Sequence, residues 1–374
     1  MSRTLLEHIN PGVEALSPYE PGKPVEELER ELGITDIVKL ASNENPLGAS
    51  PSARRVLTEW RGDLGRYPDG NGHALKTRLA AIHDIEPGRI TLGNGSNDVL
   101  DLVARVFLGP GRAALFARHA FAVYPIVTLA ADADPREAPA LAPDHPEMPY
   151  GHDLAAMAEA LDDAVRVVFL ATPNNPTGTW LEPAAIEAFL ERVPDDVVVV
   201  LDEAYREYLD PARRPDSRAW LERHDNLIVT RTFSKIYGLA GLRVGYALSS
   251  PALADRLNRV RQPFNVNLLG QACALAALDD DDFVAESAAT NAEQRDLLAR
   301  ELAARGLPAL PSQANFLTFA CGREGAPLYR ALLREGVIVR PLAGYGLPEH
   351  LRVTVGTEAE NRRFLAALDA VTGA

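Results

Sequence analysis

The 374-residue sequence has little cysteine and no long apolar segment, and each shortage excludes a class of protein. Its two cysteines, Cys273 and Cys321, form no Cys-x-x-Cys motif, so we expect neither a disulfide framework nor a thiolate zinc site. No apolar run approaches the roughly 18 residues of a membrane span, and the first residues lack the apolar stretch of a signal peptide. The sequence therefore predicts a soluble, cytoplasmic protein with no membrane partner and no metal site.

Basic residues are outnumbered, because 38 Lys and Arg stand against 52 Asp and Glu, giving a formal net charge of −14. This balance argues against non-specific nucleic-acid binding, which needs a basic face. Apolar residues make up 47% of the chain, enough for a large core, so wholesale disorder is excluded. The length is that of two or three ordinary domains.

From about residue 75 the chain alternates apolar runs with amphipathic segments. Several runs are apolar throughout, which is typical of strands buried on both faces of a sheet. The predicted strands are 89–92, 113–117, 165–171, 197–201, 226–230 and 243–248. The predicted helices are 72–83, 97–107, 153–161, 183–192 and 251–259. This order predicts an α/β domain with a mainly parallel sheet and helices on both faces.

The pattern changes after Pro263, where longer helices precede a second set of strands. Predicted helices are 268–278, 282–305, 326–335 and 358–371, and predicted strands are 315–319, 337–341 and 350–355. The start of the chain is rich in proline and ends in a short predicted helix, 25–32. We therefore predict an N-terminal arm, residues 1–32, packed on the small domain. A large domain would span residues 33–263 and a small α+β domain residues 264–374.

Polar or aromatic residues directly follow five predicted strands of the large domain. In an open α/β sheet, ligands bind beyond the carboxyl ends of the strands, so these residues would share one crevice. The segments are Gly93-Asn-Gly-Ser-Asn-Asp98, Arg118-His-Ala-Phe121, Thr172-Pro-Asn-Asn-Pro-Thr-Gly178, Asp202-Glu-Ala-Tyr205 and Arg231-Thr-Phe-Ser-Lys235. Any one of them could be an ordinary turn, but five together predict a ligand site.

Single residues in this crevice have simpler alternatives. Ser96 and Asn97 open a helix whose free amides could bind a phosphate, but Ser96 could equally be an ordinary helix cap. The segment matches neither the dinucleotide-binding nor the Walker glycine pattern. Tyr205 could bind a ligand oxygen or could be a packed tyrosine with a satisfied hydroxyl.

Lysine is scarce, with four residues against 34 arginines. The lysines are Lys23, Lys39, Lys76 and Lys235. A lysine amine can lose its proton and attack a carbonyl, which a guanidinium cannot do. Lys235 is the one in the predicted crevice, near Ser234 and Arg243, which could bind a phosphate. With Asp202 available for a ring nitrogen, these residues describe a pocket for pyridoxal phosphate, held as a Schiff base.

On these motifs the chain resembles the fold-type I, aspartate-aminotransferase-like enzymes that use pyridoxal phosphate. Within them it is most similar to the histidinol-phosphate aminotransferases. The matching segments are Ser17-Pro-Tyr-Glu-Pro-Gly-Lys23, Ser42-Asn-Glu-Asn-Pro-Leu-Gly48, Arg66-Tyr-Pro-Asp69, Asn174-Asn-Pro-Thr-Gly178, Asp202-Glu-Ala-Tyr205, the run 231–245, Gly336-Val-Ile-Val-Arg-Pro-Leu342 and Leu351-Arg-Val-Thr-Val-Gly-Thr357. The resemblance implies the fold of that family, a large domain with a mixed, mainly parallel sheet and a smaller α+β domain.

The resemblance also implies a role for each matching residue. Lys235 would carry the cofactor and move the proton at the substrate, and Asp202 would pair with the pyridine nitrogen. Asn175 and Tyr205 would bind the ring hydroxyl, and Phe121 would stack on the ring. The residues implied around the cofactor phosphate are Gly95, Ser96, Asn97, Thr232, Ser234, Arg243 and, from the neighbouring subunit of a homodimer, Tyr67. Those implied on the substrate side are Arg352, for an α-carboxylate, with Arg340, Tyr19 and Asn43.

Phe121 departs from the pattern, because many relatives have tyrosine at the stacking position. Phenylalanine can stack on a ring but cannot form a hydrogen bond. Any role of that hydroxyl would be lost or would pass to Tyr124.

The resemblance implies transfer of an amino group from histidinol phosphate to 2-oxoglutarate, or the reverse. The products of the forward reaction would be imidazole acetol phosphate and glutamate. Sister enzymes act on phenylalanine or tyrosine, or decarboxylate threonine phosphate, and the cofactor motifs serve the chemistry common to all. Arg340 and Tyr19 favour a phosphorylated substrate. A regulatory protein that uses this fold without catalysis usually carries a DNA-binding domain ahead of it. Only a short arm precedes the fold here, and Lys235 is intact, so an enzyme is expected.

Overall fold

The computed structural model describes residues 8–19 and 21–373, so residues 1–7 of the predicted arm, Glu20 and Ala374 lie outside the described residues. The helices are α1 Pro11–Glu14, α2 Val25–Leu32, α3 Pro51–Glu59, α4 His73–His83, α5 Ser96–Phe107, α6 Val123–Ala130, α7 Leu154–Glu159, α8 Pro183–Leu190, α9 Ser217–Leu221, α10 Pro251–Val260, α11 Leu268–Ala277, α12 Asp281–Ala304, α13 Gly325–Arg334 and α14 Glu358–Thr372. The strands are β1 Val38–Lys39, β2 Ile90–Gly93, β3 Ala113–Ala117, β4 Asp134–Ala138, β5 Val165–Ala171, β6 Val198–Asp202, β7 Leu227–Thr232, β8 Gly245–Ser249, β9 Phe316–Ala320, β10 Val337–Ile338, β11 Arg340–Pro341 and β12 His350–Thr354. None of these helices is long and apolar enough to cross a membrane.

Helix starts follow ordinary capping chemistry in this chain. Ser50 and Ser250 cap α3 and α10, and in both helices the next residue is proline, whose missing N–H costs nothing in the first turn. Thr357 and Glu360 form a reciprocal capping box at the start of α14. The sequence thus defines these three boundaries locally.

The large sheet has seven strands in the order β2-β8-β7-β6-β5-β3-β4. Every neighbouring pair is parallel except those that involve β8, which runs antiparallel to β7 and β2. All residues of β6 and β7 are buried, as expected for strands covered by helices on both faces. The predicted α/β architecture with a mainly parallel sheet is confirmed.

A second, smaller core packs around an antiparallel sheet in the order β11-β12-β9. Buried side chains from β9, β12 and α14, among them Phe319, Val353 and Phe364, fill this core. The short strand β1 pairs in parallel with β10, so Val38 lies opposite Val337. Residues just after the arm therefore belong to the small core, although the sequence predicted them to begin the large domain.

The change from the large core to the small core comes later in the chain than the predicted domain boundary near residue 263. Helix α11 contributes Cys273, Ala274 and Ala277 to the core of the large sheet, and Leu278 lies in the same cluster. Further along, Leu298 of α12 lies in the small core. The chain passes from one core to the other after Leu278, because α11 has an apolar face that only the large domain covers.

The N-terminal arm contacts both cores, whereas the sequence predicted contact with the small domain alone. In α1, Gly12 N donates to Asp132 Oδ1 at 3.1 Å, at the end of α6 in the large domain. A Cβ on Gly12 would lie 1.9 Å from Leu129 O, so the missing side chain permits this approach. Helix α2 instead packs Leu28 against Ile338 of the small domain. The arm therefore bridges the two cores.

Candidate active site

A cavity of about 230 Å³ lies at the carboxyl ends of β5, β6 and β7, where β11 and β12 of the small sheet face them. Four cationic side chains line it, and these are Lys235, Arg243, Arg340 and Arg352. Within the described residues, Asp202 is the one carboxylate of the lining. The cavity therefore favours anionic ligands, although the whole chain carries a net charge of −14.

One end of the cavity is built by a close backbone approach at the start of α5. Gly95 has a φ of +83°, and a Cβ there would lie 2.3 Å from Arg243 Nη2, so only glycine permits this contact. The Arg243 guanidinium also donates to Ser234 Oγ at 3.2 Å. No described side chain caps α5, so Ser96 does not act as the helix cap. The helix N-terminus and the guanidinium face the same end of the cavity as Ser96 and Asn97, an arrangement that could hold an anion.

Asp202 ends β6 and is buried at the floor of the cavity. Its Oδ2 accepts a hydrogen bond from Tyr124 Oη at 2.9 Å. Its Oδ1 accepts from Thr230 Oγ1 and from Ala204 N, each at 3.2 Å. Burial raises the pKa of Asp202, and the three donors oppose that rise because each binds the charged form better. A cationic N–H group of a ligand would stabilise the carboxylate further.

Lys235 projects from the loop after β7 into the cavity. Its Nζ donates to Ser42 O at 3.1 Å and lies 5.5 Å from the centroid of the Tyr205 ring. Burial, followed by the charge of Arg352, lowers the pKa of Lys235 to about 7. Near neutral pH a large fraction of this amine is therefore unprotonated and able to attack a carbonyl.

Arg352 lies in β12 and is 5% exposed. Its Nη1 donates to Asn175 Oδ1, and its Nη2 donates to Ala41 O at 2.7 Å. Its Nε has no partner among the described residues. A buried donor without a partner is costly, so this guanidinium is available to an acceptor from a ligand in the cavity.

Asn43 and Tyr205 connect the floor of the cavity to the small domain. Asn43 Nδ2 donates to Tyr205 Oη at 3.0 Å, and Asn43 N donates to Thr354 Oγ1 at 2.9 Å. Burial raises the pKa of Tyr205, so its hydroxyl stays protonated at neutral pH and can donate to a ligand oxygen.

The outer wall carries a second guanidinium beside the first. Arg340 lies directly opposite Arg352 in the pairing of β11 with β12, which places both side chains on one face of the sheet. The Arg340 guanidinium also lies 5.5 Å from the centroid of the Tyr19 ring, and Tyr19 is 49% exposed. Adjacent cations repel each other, so an anionic ligand between them is favoured.

The structure brings most of the residues named from the sequence into this cavity. Those that line it are Tyr19, Asn43, Ser96, Asn97, Phe121, Asn175, Asp202, Tyr205, Thr232, Ser234, Lys235, Arg243, Arg340 and Arg352. Gly95 lies behind the Arg243 guanidinium. Tyr67 is 81% exposed and stacks on Phe264 with the ring centroids 4.5 Å apart, so it is not in the cavity of its own chain. The individual roles of these residues stay predictions.

Three contributors to the site were not predicted from the sequence. The Ser42 carbonyl accepts from Lys235, and Thr230 and Tyr124 donate to Asp202. Thr230 could have been found, because it lies two residues before Thr232 on the same face of a strand. Tyr124 was considered only as a substitute for the missing hydroxyl of Phe121.

Comparison with known proteins identifies the family. The model of the family "Aminotransferase class I and II" matches residues 35–368. The chain belongs to the class I and II aminotransferases. This aminotransferase is 57% identical over 363 residues to histidinol-phosphate aminotransferase 2 of Pseudomonas aeruginosa, with 96% of each chain covered. It is 56% identical over 370 residues to histidinol-phosphate aminotransferase 2 of Pseudomonas fluorescens, with 98% of each chain covered.

A solved structure extends the comparison to the fold. The aminotransferase is similar to the histidinol-phosphate aminotransferase from Sinorhizobium meliloti, which was crystallised in complex with pyridoxal-5′-phosphate. The TM-score is 0.87 with 30% sequence identity, and the match covers 97% of each chain. The resemblance inferred from the sequence motifs, to fold-type I enzymes and among them to histidinol-phosphate aminotransferases, is confirmed.

Pyridoxal phosphate, the cofactor of these aminotransferases, fits the residues that are present. The Gly95 approach to Arg243 leaves a cradle of donors at the start of α5, which suits a phosphate. The buried Asp202 carboxylate suits a protonated ring nitrogen, and the partly unprotonated Lys235 amine suits the aldehyde. These groups line one cavity, so a single molecule can reach all of them.

Proposed function

We propose that this aminotransferase moves an amino group between L-histidinol phosphate and 2-oxoglutarate, with pyridoxal 5′-phosphate carried by Lys235. The observation that carries the proposal is the cavity, in which the half-buried Lys235 amine shares the lining with an anion-binding helix start at α5 and with the paired guanidiniums of Arg340 and Arg352. One anion site suits the cofactor phosphate, and the other suits the anionic groups of the substrates. The relatives named for this activity, which match almost the full chain, support the same substrate.

The residues of the chain divide the chemistry between them. When bound, the cofactor withdraws electrons from the substrate Cα and so makes its proton removable. Lys235, which is partly neutral near pH 7, would accept that proton at Nζ and hold it for return to the bound molecule. Asp202 would accept the N–H of the pyridine ring, and Tyr205, with Asn175, would hold the ring oxygen. Asp202 and Tyr205 at the floor of the cavity are buried, so water has little access to these two groups.

The paired guanidiniums account for the use of two different substrates. Glutamate offers carboxylates, whereas histidinol phosphate has a phosphate and no carboxylate. Arg352 can form two parallel hydrogen bonds with a carboxylate. Arg340 lies on the outer side with Tyr19, where it can contact the phosphate of the larger substrate. One site can therefore accept both compounds in turn.

The test of this function is a comparison of kcat/KM for histidinol phosphate, phenylalanine and tyrosine, each with 2-oxoglutarate as acceptor. We expect histidinol phosphate to be preferred by at least about tenfold, because only this donor can contact Arg340 through a phosphate. A preference for an aromatic amino acid would replace the proposal with an aromatic aminotransferase. Release of CO₂ from threonine phosphate without amino transfer would replace it with a decarboxylase.

The substitution Arg340→Ala is expected to reduce kcat/KM for histidinol phosphate about 10- to 100-fold more than for phenylalanine, because a charge-assisted hydrogen bond to phosphate is lost. The measurement is steady-state kinetics with both donors. Arg118→Ala is the matched control, since Arg118 lies in the neighbouring groove, is largely exposed and pairs with Glu137. Equal losses for both donors would assign Arg340 a general role in carboxylate binding.

We also propose that the enzyme is a cytoplasmic homodimer in which Tyr67 reaches the cofactor phosphate of the neighbouring subunit. Tyr67, Leu64 and Phe264 are large apolar side chains that are exposed in the single chain. Two of them form a stacked pair, which offers a ready surface for a second copy. In a two-fold dimer each subunit would complete the site of the other.

Mixing two inactive variants tests the shared site. Tyr67→Glu should weaken cofactor binding in the site of the neighbouring subunit, because a carboxylate would face a phosphate. Lys235→Ala should inactivate the site of its own chain. In a mixed dimer both lesions fall in one site, and the second site is intact. Random exchange of equal amounts makes about half of the dimers mixed, so roughly a quarter of the native activity should return.

The control is a mixture of Lys235→Ala with Arg243→Ala. Both lesions lie in the cavity of their own chain, so no intact site can form and activity should stay absent. If the Tyr67 mixture also stays inactive after proven subunit exchange, Tyr67 does not act on the partner's site.

A further inference from the structure

Tyr124 has an unusually fixed position beside Asp202. Its side chain is fully buried on α6 and stacks on Phe169, with the ring centroids 4.6 Å apart and an interplanar angle of 2°. Phe121 contacts the same ring edge-on at 5.8 Å. Such packing leaves the ring little freedom, so its hydroxyl is held at one point, 2.9 Å from Asp202 Oδ2.

The hydrogen bonds of Asp202 are unevenly divided between its two oxygens. Oδ1 accepts from Thr230 Oγ1 and Ala204 N, whereas Tyr124 Oη is the one donor to Oδ2 among the described residues. After burial, the Tyr124 hydrogen bond is the largest influence on the pKa of Asp202, and it lowers that pKa. Burial raises the pKa of Tyr124 well above its usual value, so this hydroxyl remains a donor over the whole working range of pH.

We propose that Tyr124 is a positioning residue whose hydroxyl keeps the Asp202 carboxylate ionised and oriented for the pyridine nitrogen of the cofactor. The inference rests on the proposed use of pyridoxal phosphate. With the cofactor bound, the ring nitrogen and the Asp202 carboxylate would share a single proton. Loss of the Tyr124 donor makes the carboxylate a stronger base, so this proton moves from nitrogen to oxygen and the ring withdraws electrons less well. The phenol on α6 thus supports the reaction without contacting the substrate.

The test is Tyr124→Phe, which keeps the ring and removes the hydroxyl, in protein reconstituted with pyridoxal phosphate labelled with ¹⁵N in the ring. We expect the ¹⁵N resonance to shift toward that of an unprotonated pyridine. We also expect kcat to fall about 10- to 100-fold, the effect of one hydrogen bond to a charged group, with KM changed less than about threefold. Tyr246→Phe is the matched control, because it removes another buried hydroxyl, which contacts His83 at 2.9 Å outside the cavity. This control should leave the ¹⁵N resonance and kcat as in the native protein.

An unchanged ¹⁵N resonance and an unchanged kcat in Tyr124→Phe would overturn the inference. Equal effects of Tyr246→Phe would also overturn it, since they would show a general loss of stability. If Tyr124→Phe does not fold, 3-fluorotyrosine at position 124 keeps the packing and is a stronger donor, so the resonance should shift the opposite way. The native protein is measured first, and its failure to bind pyridoxal phosphate would overturn the proposed function and this inference together.

Discussion

Replacing Lys235 by alanine is expected to reduce amino transfer by at least about 10³-fold while the protein stays folded. General acid–base catalysis by a positioned group contributes roughly 10²–10⁴-fold, and the covalent site of the cofactor is lost as well. Lys235 is the one lysine that lines the cavity within the described residues. Its lowered pKa, about 7, also distinguishes it from an ordinary surface lysine. Turnover by steady-state kinetics and Tm by circular dichroism are the two measurements.

Borohydride reduction of the native enzyme identifies the lysine directly. The reagent should fix the cofactor to the peptide that contains Lys235, and Lys235→Ala should remain unlabelled. Lys39→Ala is the control. Lys39 forms an ion pair with Glu44 at 3.0 Å outside the cavity, and such a surface ion pair contributes little to the stability of the fold. Labelling of a peptide with another lysine would contradict the assignment.

The substitution Arg352→Lys is expected to reduce kcat/KM about 100-fold with glutamate as the donor. A guanidinium forms two parallel hydrogen bonds with a carboxylate, and an ammonium cannot. The shorter side chain would also lose the hydrogen bonds to Asn175 and Ala41 that orient the group. Cofactor absorbance should be retained, because the phosphate end of the cavity is untouched.

Arg305→Lys is a matched control for this prediction. Arg305 forms a two-pronged pair with Asp369 in the small domain, away from the cavity. The control variant should lower Tm without a change in kcat/KM. If Arg352→Lys retains native kcat/KM, the two-pronged recognition of the carboxylate by Arg352 is wrong.

Local sequence patterns were sufficient to predict most strands of the large sheet. The apolar run 113–117 and the run 165–171, which is apolar except for Arg166, became β3 and β5 with the bounds expected from the sequence. Strand β4 was not predicted, because its sequence, Asp-Pro-Arg-Glu-Ala, is polar and includes proline. It lies at the edge of the sheet beside β3, where proline and charged residues are tolerated. Its strand conformation comes from pairing, not from propensity.

Other differences between the predicted and the observed fold arose from contacts between distant parts of the chain. Helix α11 joins the large core because its small buried residues meet that surface, although it follows the change of pattern at Pro263. The arm divides between both cores because Gly12 permits a close approach to Leu129. Neither contact has a signal in the local sequence.

The sequence by itself determined the family, through its motifs, and the cofactor and most of the residues around the cavity, because this chemistry needs particular residue types at the ends of consecutive strands. Lys235, Asp202 and Arg243 are recognisable in this way without coordinates. The tertiary structure alone decided the pKa values and the hydrogen-bond partners of these groups. The lowered pKa of Lys235 depends on burial and on Arg352, 117 positions away in the sequence, and the Tyr124 hydrogen bond to Asp202 joins residues 78 apart. Burial and long-range hydrogen bonds are properties of the folded chain, so they exist only after α6, β6 and β12 have been brought together.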